Sequence, residues 1–164
     1  YIRMPSSERN RKISTTQEKK VTWLSGDNND IRENVVISRA TFAGNATKIG
    51  NGNYLMDKVH LCHDVQISNN CVVGIGTTIA GECMLDDCAI LSGNVTLHQY
   101  CHIGSWTLVQ SGCRISKDVP PYVIMSGNPV AYHGVKRCGS LATSQYIGKS
   151  PPSHRQRIPF DLSG

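Results

Sequence analysis

At 164 residues and 39% hydrophobic, the chain is long enough for one domain with a real core. Its net charge of +5 is unevenly placed: residues 21–119 hold six basic and nine acidic side chains, a net −3, while the flanks hold eleven and three, a net +8. No run of about 18 apolar residues is present, so no helical membrane span is expected, and the basic flanks lack the aromatic interleaving of a nucleic-acid binder.

Residues 1–24 are polar and aperiodic, with Arg3, Arg9, Arg11, Lys12, Lys19 and Lys20 among them. They read as an irregular basic lead-in, either solvated or suited to an acidic or phosphate-bearing partner. Residues 25–119 then repeat every six. One register runs through Ser25, Ile31, Ile37, Ala43, Ile49, Leu55, Leu61, Ile67, Val73, Ile79, Leu85, Leu91, Leu97, Ile103, Val109 and Ile115; only Ser25 and Ala43 are not large aliphatics. A second, four residues later, runs through Val59, Val65, Cys71, Thr77, Cys83, Ala89, Val95, Cys101, Thr107, Cys113 and Val119, all small or β-branched. A helix repeats near 3.6 residues and a plain strand at 2, so neither makes this beat. Three short strands joined by corners do, as one turn of an all-β parallel β-helix of hexapeptide repeats. The aliphatic fills a triangular interior, and the small residue lies where the wall bends. The region holds about five such coils, a prism roughly 25 Å tall at the strand spacing. Its open ends favour oligomerisation. The irregular stretch Thr41–Ala46 is expected to bulge out as a loop.

Pro120-Pro121 is expected to end the strand ladder, because proline has no N–H to donate, leaving residues 120–139 as an extended return segment. Residues 140–164, rich in Ser, Pro and Arg, read as a loop or disordered tail. Of the seven cysteines, Cys71, Cys83, Cys101 and Cys113 fall in the small-residue register, where packing explains them. No CxxC pair occurs, so a zinc ribbon is not indicated, and no cofactor or metal is expected. No secretory signal is visible, and a reducing, cytoplasmic setting is expected.

Residues 18 apart stack on one face of such a coil. His63, Gly81 and Gln99 form one column; Cys62, Ala80 and His98 form the next, and Asp64, Glu82 and Tyr100 lie on its other side. His63, Asp64, Gly81, Glu82, His98 and Gln99 therefore crowd a patch roughly 10 Å tall, the size of a sugar ring, with His60 one corner away. An imidazole can take a proton from a hydroxyl, a neighbouring carboxylate can fix its tautomer, and the Gly81 N–H can approach a reacting carbonyl with no side chain in the way. No serine or cysteine is set up as a nucleophile. The chemistry indicated is acyl transfer by general-base catalysis.

These same residues resemble the UDP-N-acetylglucosamine O-acyltransferase family of lipid A biosynthesis. The resemblance is carried by Gly26-Asp27-Asn28-Asn29, Ile31-Arg32-Glu33-Asn34-Val35, Val59-His60-Leu61-Cys62-His63-Asp64, Thr78-Ile79-Ala80-Gly81, Leu97-His98-Gln99-Tyr100 and Lys117-Asp118-Val119-Pro120-Pro121-Tyr122-Val123-Ile124, within residues 24 to 139. It implies a left-handed β-helix and a homotrimer with active sites between subunits. The implied reaction moves a 3-hydroxyacyl chain from acyl carrier protein to the glucosamine 3-hydroxyl of UDP-N-acetylglucosamine. Carried over by motif, His63 would be the general base, Asp64 its partner and Gly81 the oxyanion donor. His60, Glu82, His98 and Gln99 would contact sugar nucleotide or acyl group, Ser111 would limit chain length, and Arg137, in the basic pair Lys136-Arg137, would lie near the phosphates.

The family pattern has about three further coils before residue 25 and a C-terminal helical domain, with no counterpart in this sequence. Its Asp-Leu-Lys-Tyr segment is unmatched, Glu82 stands where histidine is usual, and about five residues are missing before Lys136. Three other readings stay open at this point: an acetyl-CoA-dependent hexapeptide acetyltransferase, a non-catalytic trimeric scaffold or fragment, and a γ-carbonic-anhydrase-like zinc enzyme using His63, His98 and His102.

Overall fold

The computed structural model of the chain describes residues 22–136; the expectations for the first 21 residues, for Arg137 and for the tail lie outside them. Seventeen strands follow one another with no helix among the described residues. The first coil is β1 (Thr22–Ser25), β2 (Asp30–Ile31) and β3 (Val36–Ile37), and the second is β4 (Ala46–Ile49), β5 (Tyr54–Leu55) and β6 (His60–Leu61). The third is β7 (Gln66–Ile67), β8 (Val72–Val73) and β9 (Thr78–Ile79), and the fourth is β10 (Met84–Leu85), β11 (Ile90–Leu91) and β12 (Thr96–Leu97). The fifth is β13 (His102–Ile103), β14 (Leu108–Val109) and β15 (Arg114–Ile115); β16 (Val123–Ser126) and β17 (Ala131–Val135) follow.

Each strand pairs in parallel with its counterpart in the next coil, making three faces: β1-β4-β7-β10-β13, then β2-β5-β8-β11-β14, then β3-β6-β9-β12-β15. Tyr54 pairs with Val72, Val72 with Ile90 and Ile90 with Leu108, so one coil takes 18 residues. The molecule is a parallel β-helix, as the six-residue period requires.

The aliphatic register fills the interior. Leu55, Leu61, Val73, Ile79, Leu91, Leu97, Ile103 and Val109 are all fully buried, and no member of the small-residue register is more than 4% exposed. Each such side chain contributes about 1.5–3 kcal/mol relative to exposure. Thr77 and Thr107 remain compatible with the dry wall because their hydroxyls donate to the carbonyls of Ser92 and Pro120, both at 2.9 Å. Most corners turn on one residue with φ near +60°, and Asn and Gly recur there: Asn28, Asn34, Gly52, Asn70, Gly76, Asn94 and Gly112. Leu91→Ala, in the middle of the stack between Val73 and Val109, should cost about 2–5 kcal/mol, because rungs pinned above and below cannot collapse into the gap. Denaturant unfolding should show a lowered midpoint with an unchanged slope.

Four register positions depart from the expectation. Ser25 and Ile31 are exposed, and Ile37 is only half-buried: they belong to the first coil, which among the described residues has no rung beneath it. Ala43 is exposed because the expected loop removes it from the wall. The ladder also continues past Pro120-Pro121. Those prolines occupy a corner, Pro121 seated over Gly104, where a Cβ would collide with it, and β16 then pairs in parallel with β14. β17 returns antiparallel along β16, so residues 123–135 form a paired ribbon.

Candidate active site

The corner between the third and first faces holds Cys62–Val65, with residues 80–83 and 98–101 stacked above it. The 18-residue coil brings His63, Gly81 and Gln99 into one column as expected. Gly81 is buried, and a Cβ added to it would collide with Cε1 and Nε2 of His63. The imidazole therefore lies flat over the glycine, and only glycine leaves room for it. The Gly81 carbonyl accepts from the Tyr100 N–H at 3.2 Å, while its own N–H donates to nothing among the described residues.

His63 Nδ1 lies 3.1 Å from Asp64 Oδ2, with the histidine side chain 36% exposed and the aspartate 7%. The same carboxylate oxygen accepts the Thr41 N–H at 2.9 Å. Burial pushes the Asp64 carboxyl up, but the Thr41 N–H, the His63 ring and the Asn45 side chain together outweigh it and hold the group below its ordinary 3.8. Asp64 Oδ1 is sealed from solvent without a well-formed hydrogen bond of its own. An ionised Asp64 can only accept, so Nδ1 of His63 must carry a proton, and in the neutral imidazole the free lone pair is then on Nε2.

A carboxyl depressed in the folded state contributes stability in full above its unfolded value, about 3.9, and loses it as pH falls through the lower folded value. Asp64→Asn should thus be less stable than the parent at pH 7, and the gap should narrow as pH drops below about 4. Thermal unfolding from pH 7 to 3 checks this.

The other expected residues divide. Glu82 is half-buried, with a left-handed backbone, and its N–H donates to the His63 carbonyl at 3.0 Å. His98 is exposed, its Nδ1 3.4 Å from the Gln99 carbonyl, and Gln99 is half-buried. His60, on β6, faces Cys62 with Nε2 4.0 Å from Sγ. That is too long to activate the thiol, and burial pushes Cys62 up, away from thiolate formation. Ser111 is exposed on a different corner, between β14 and β15, with the third face separating it from the His63 column. Lys136 is 6% exposed with Nζ 5.9 Å from the Trp106 ring centroid. Among the described residues no three His, Cys, Asp or Glu side chains come together to hold a metal ion, and His102 instead faces Asp86 at 2.9 Å. Motif reading missed Thr41, Asn45 and Thr47. Their available signal was that the irregular hexad falls at this same corner, one coil below His63.

A β-helix of hexapeptide repeats carrying a histidine–carboxylate pair over a glycine defines a class, the hexapeptide-repeat acyltransferases, and comparison narrows it. No protein-family model matches the chain. An acyl-[acyl-carrier-protein]–UDP-N-acetylglucosamine O-acyltransferase of Nautilia profundicola is 37% identical over 121 residues, 73% of this chain and 47% of the relative. The enzyme of the same description from Pseudomonas paraeruginosa is 43% identical over 120 residues, 70% of this chain and 46% of the relative. Among solved structures, the UDP-N-acetylglucosamine acyltransferase of Bacteroides fragilis superposes with a TM-score of 0.70 at 47% identity, over 77% of this chain and 49% of that one. The Arabidopsis enzyme gives 0.71 at 30% identity, over 74% and 42%. A hexapeptide-repeat acetyltransferase of Vibrio cholerae, at 17% identity and a TM-score of 0.59, shares the fold alone. The repeat region of this chain is similar in sequence and fold to the UDP-N-acetylglucosamine O-acyltransferases, and its coil is left-handed as in those structures. The chain spans about half the length of the curated relatives it matches.

Proposed function

We propose that this chain is an O-acyltransferase that moves a 3-hydroxyacyl group from acyl carrier protein to the 3-hydroxyl of UDP-N-acetylglucosamine, the reaction that opens lipid A assembly. The observation that carries this reading is the His63–Asp64 pair, Nδ1 to Oδ2 3.1 Å, laid over Gly81 in a chain whose relatives bear that acyltransferase description. His63 Nε2 takes the proton of the sugar hydroxyl as its oxygen attacks the thioester carbonyl. Asp64 stabilises the imidazolium, and the Gly81 N–H donates to the carbonyl oxygen as it gains charge. Collapse of the tetrahedral species breaks the carbon–sulfur bond, and the proton on His63 goes to the departing carrier thiolate.

His60, Glu82, His98 and Gln99 would orient the sugar nucleotide and the acyl head group, Ser111 would bound the acyl chain and Arg137 would meet the phosphates. Ser111 lies three coil steps above Asp57, across a whole face from His63, so one chain alone does not bring them together. That separation supports a homotrimer in which a neighbouring subunit completes each site. A cytoplasmic setting is the one in keeping with a carrier-protein donor. No helix among the described residues is long and apolar enough to cross a membrane.

The test is acyl transfer to UDP-N-acetylglucosamine from a series of 3-hydroxyacyl carrier proteins, with acetyl-CoA in parallel and the mass of the assembly measured by light scattering. Product from carrier-protein donors, made by a trimer, is expected. A folded trimer that yields none would refute the reading, and product from acetyl-CoA alone would move the chain to the acetyltransferases.

A further inference from the structure

Resting on that reading, we propose that the connection between β3 and β4 is a strap that positions the His63–Asp64 pair, with Thr47 as its positioning residue. Between the second coil and the third, the step from Leu61 to its neighbour on the next face, Gln66, takes five residues. The equivalent step beneath it, from Ile37 to Lys48, takes eleven, so six extra residues sit directly under the pair.

The extra residues change one hydrogen bond that every other corner keeps. From the second coil upward, the left-handed corner residue donates its N–H to a backbone carbonyl of the corner beneath: Gly52 to Asp27, Lys58 to Glu33, Asn70 to Asn51, Gly76 to Asp57, Glu82 to His63, and so on to Gly112 with Gly93. Asp64 is the exception among the described residues. Its N–H goes to the Thr47 hydroxyl at 2.9 Å, and that hydroxyl donates in turn to the Ser38 carbonyl at 2.8 Å. Thr47 is fully buried. One buried hydroxyl thus ties the root of the strap to the backbone of Asp64. The displaced corner is also free to return the Thr41 N–H to Asp64 Oδ2, the oxygen that faces His63 Nδ1. The carboxylate is clamped at its backbone from inside and at its head from outside, which fixes the direction in which it holds the imidazole.

The experiment compares Thr47→Val, which is nearly isosteric but lacks the hydroxyl, with Thr47→Ser, which restores it, and with Thr41→Pro, which removes the second N–H from an exposed stretch. Each is read by ¹⁵N spectra of histidine-labelled protein and by steady-state transfer. The parent and Thr47→Ser should show the His63 proton on Nδ1. Thr47→Val and Thr41→Pro should show mixed tautomers and a kcat about tenfold lower, with KM within about twofold, as expected of a misaligned base. Parent-like tautomer and kcat in both variants would overturn the strap; if Thr47→Val does not fold, Thr41→Pro decides alone. The tautomer readout needs no turnover, so mixed tautomers in the variants of a parent that transfers nothing would sustain the strap and sink the proposed reaction.

Discussion

His63→Ala should lose acyl transfer by a factor of about 10²–10⁴, the range a positioned general base contributes, while the molecule stays folded and assembled. The two halves of that expectation come from different observations. The ring is 36% exposed and sits outside both core registers, so removing it opens no interior cavity. Asp64 keeps the Thr41 N–H on Oδ2 and its own N–H on Thr47, so the lost partner should cost about 1 kcal/mol. The proposed transfer, by contrast, loses the base that lies over Gly81. Steady-state kinetics beside thermal unfolding and light scattering would check both halves. Unfolding of the variant would mean that the imidazole is packing, and full activity would move the base elsewhere, with His98 the next group to test.

The fold was legible because the six-residue period is the coil's own geometry: a side chain that points inward must recur on every face, and Leu55 to Ile115 do so without a break. The columns were legible for the same reason, since three hexads make a coil and residues 63, 81 and 99 must then stack. What the sequence hid falls into two kinds. Pro120-Pro121 looked like a stop because proline breaks ladders, but the two prolines fall at a corner and the ladder resumes at β16. The clamp on Asp64 was invisible because one half is a backbone N–H, which any residue but proline would supply at position 41. The other half is a threonine in a register where Thr77 and Thr107 serve the wall alone. Ser111 could be placed in the site only through the family resemblance: its corner lies a whole face away from His63, and the role proposed for it needs a second subunit.

Gly81→Ala should be as damaging as loss of the histidine, at least 100-fold in kcat, and it separates two roles that the glycine is given. The variant keeps the backbone N–H, so an oxyanion donor remains available. Gly81 is not one of the glycines with positive φ, so alanine meets no backbone strain there. What changes is one methyl group placed where Cε1 and Nε2 of His63 lie. The backbone beneath the methyl is held in the wall by the Tyr100 N–H on the Gly81 carbonyl, whereas the half-exposed ring is free to swing outward. The expected result is a displaced imidazole, a broken Nδ1–Asp64 contact and a near-parental melting temperature, because the ring moves into solvent rather than into the core. Crystallography of the variant, with kcat and KM measured alongside, reads all three. A ring still in place with transfer intact would show that the wall yields instead, and the steric account of this glycine would fail. A ring still in place with transfer lost would put the whole effect on the N–H and its approach to the substrate.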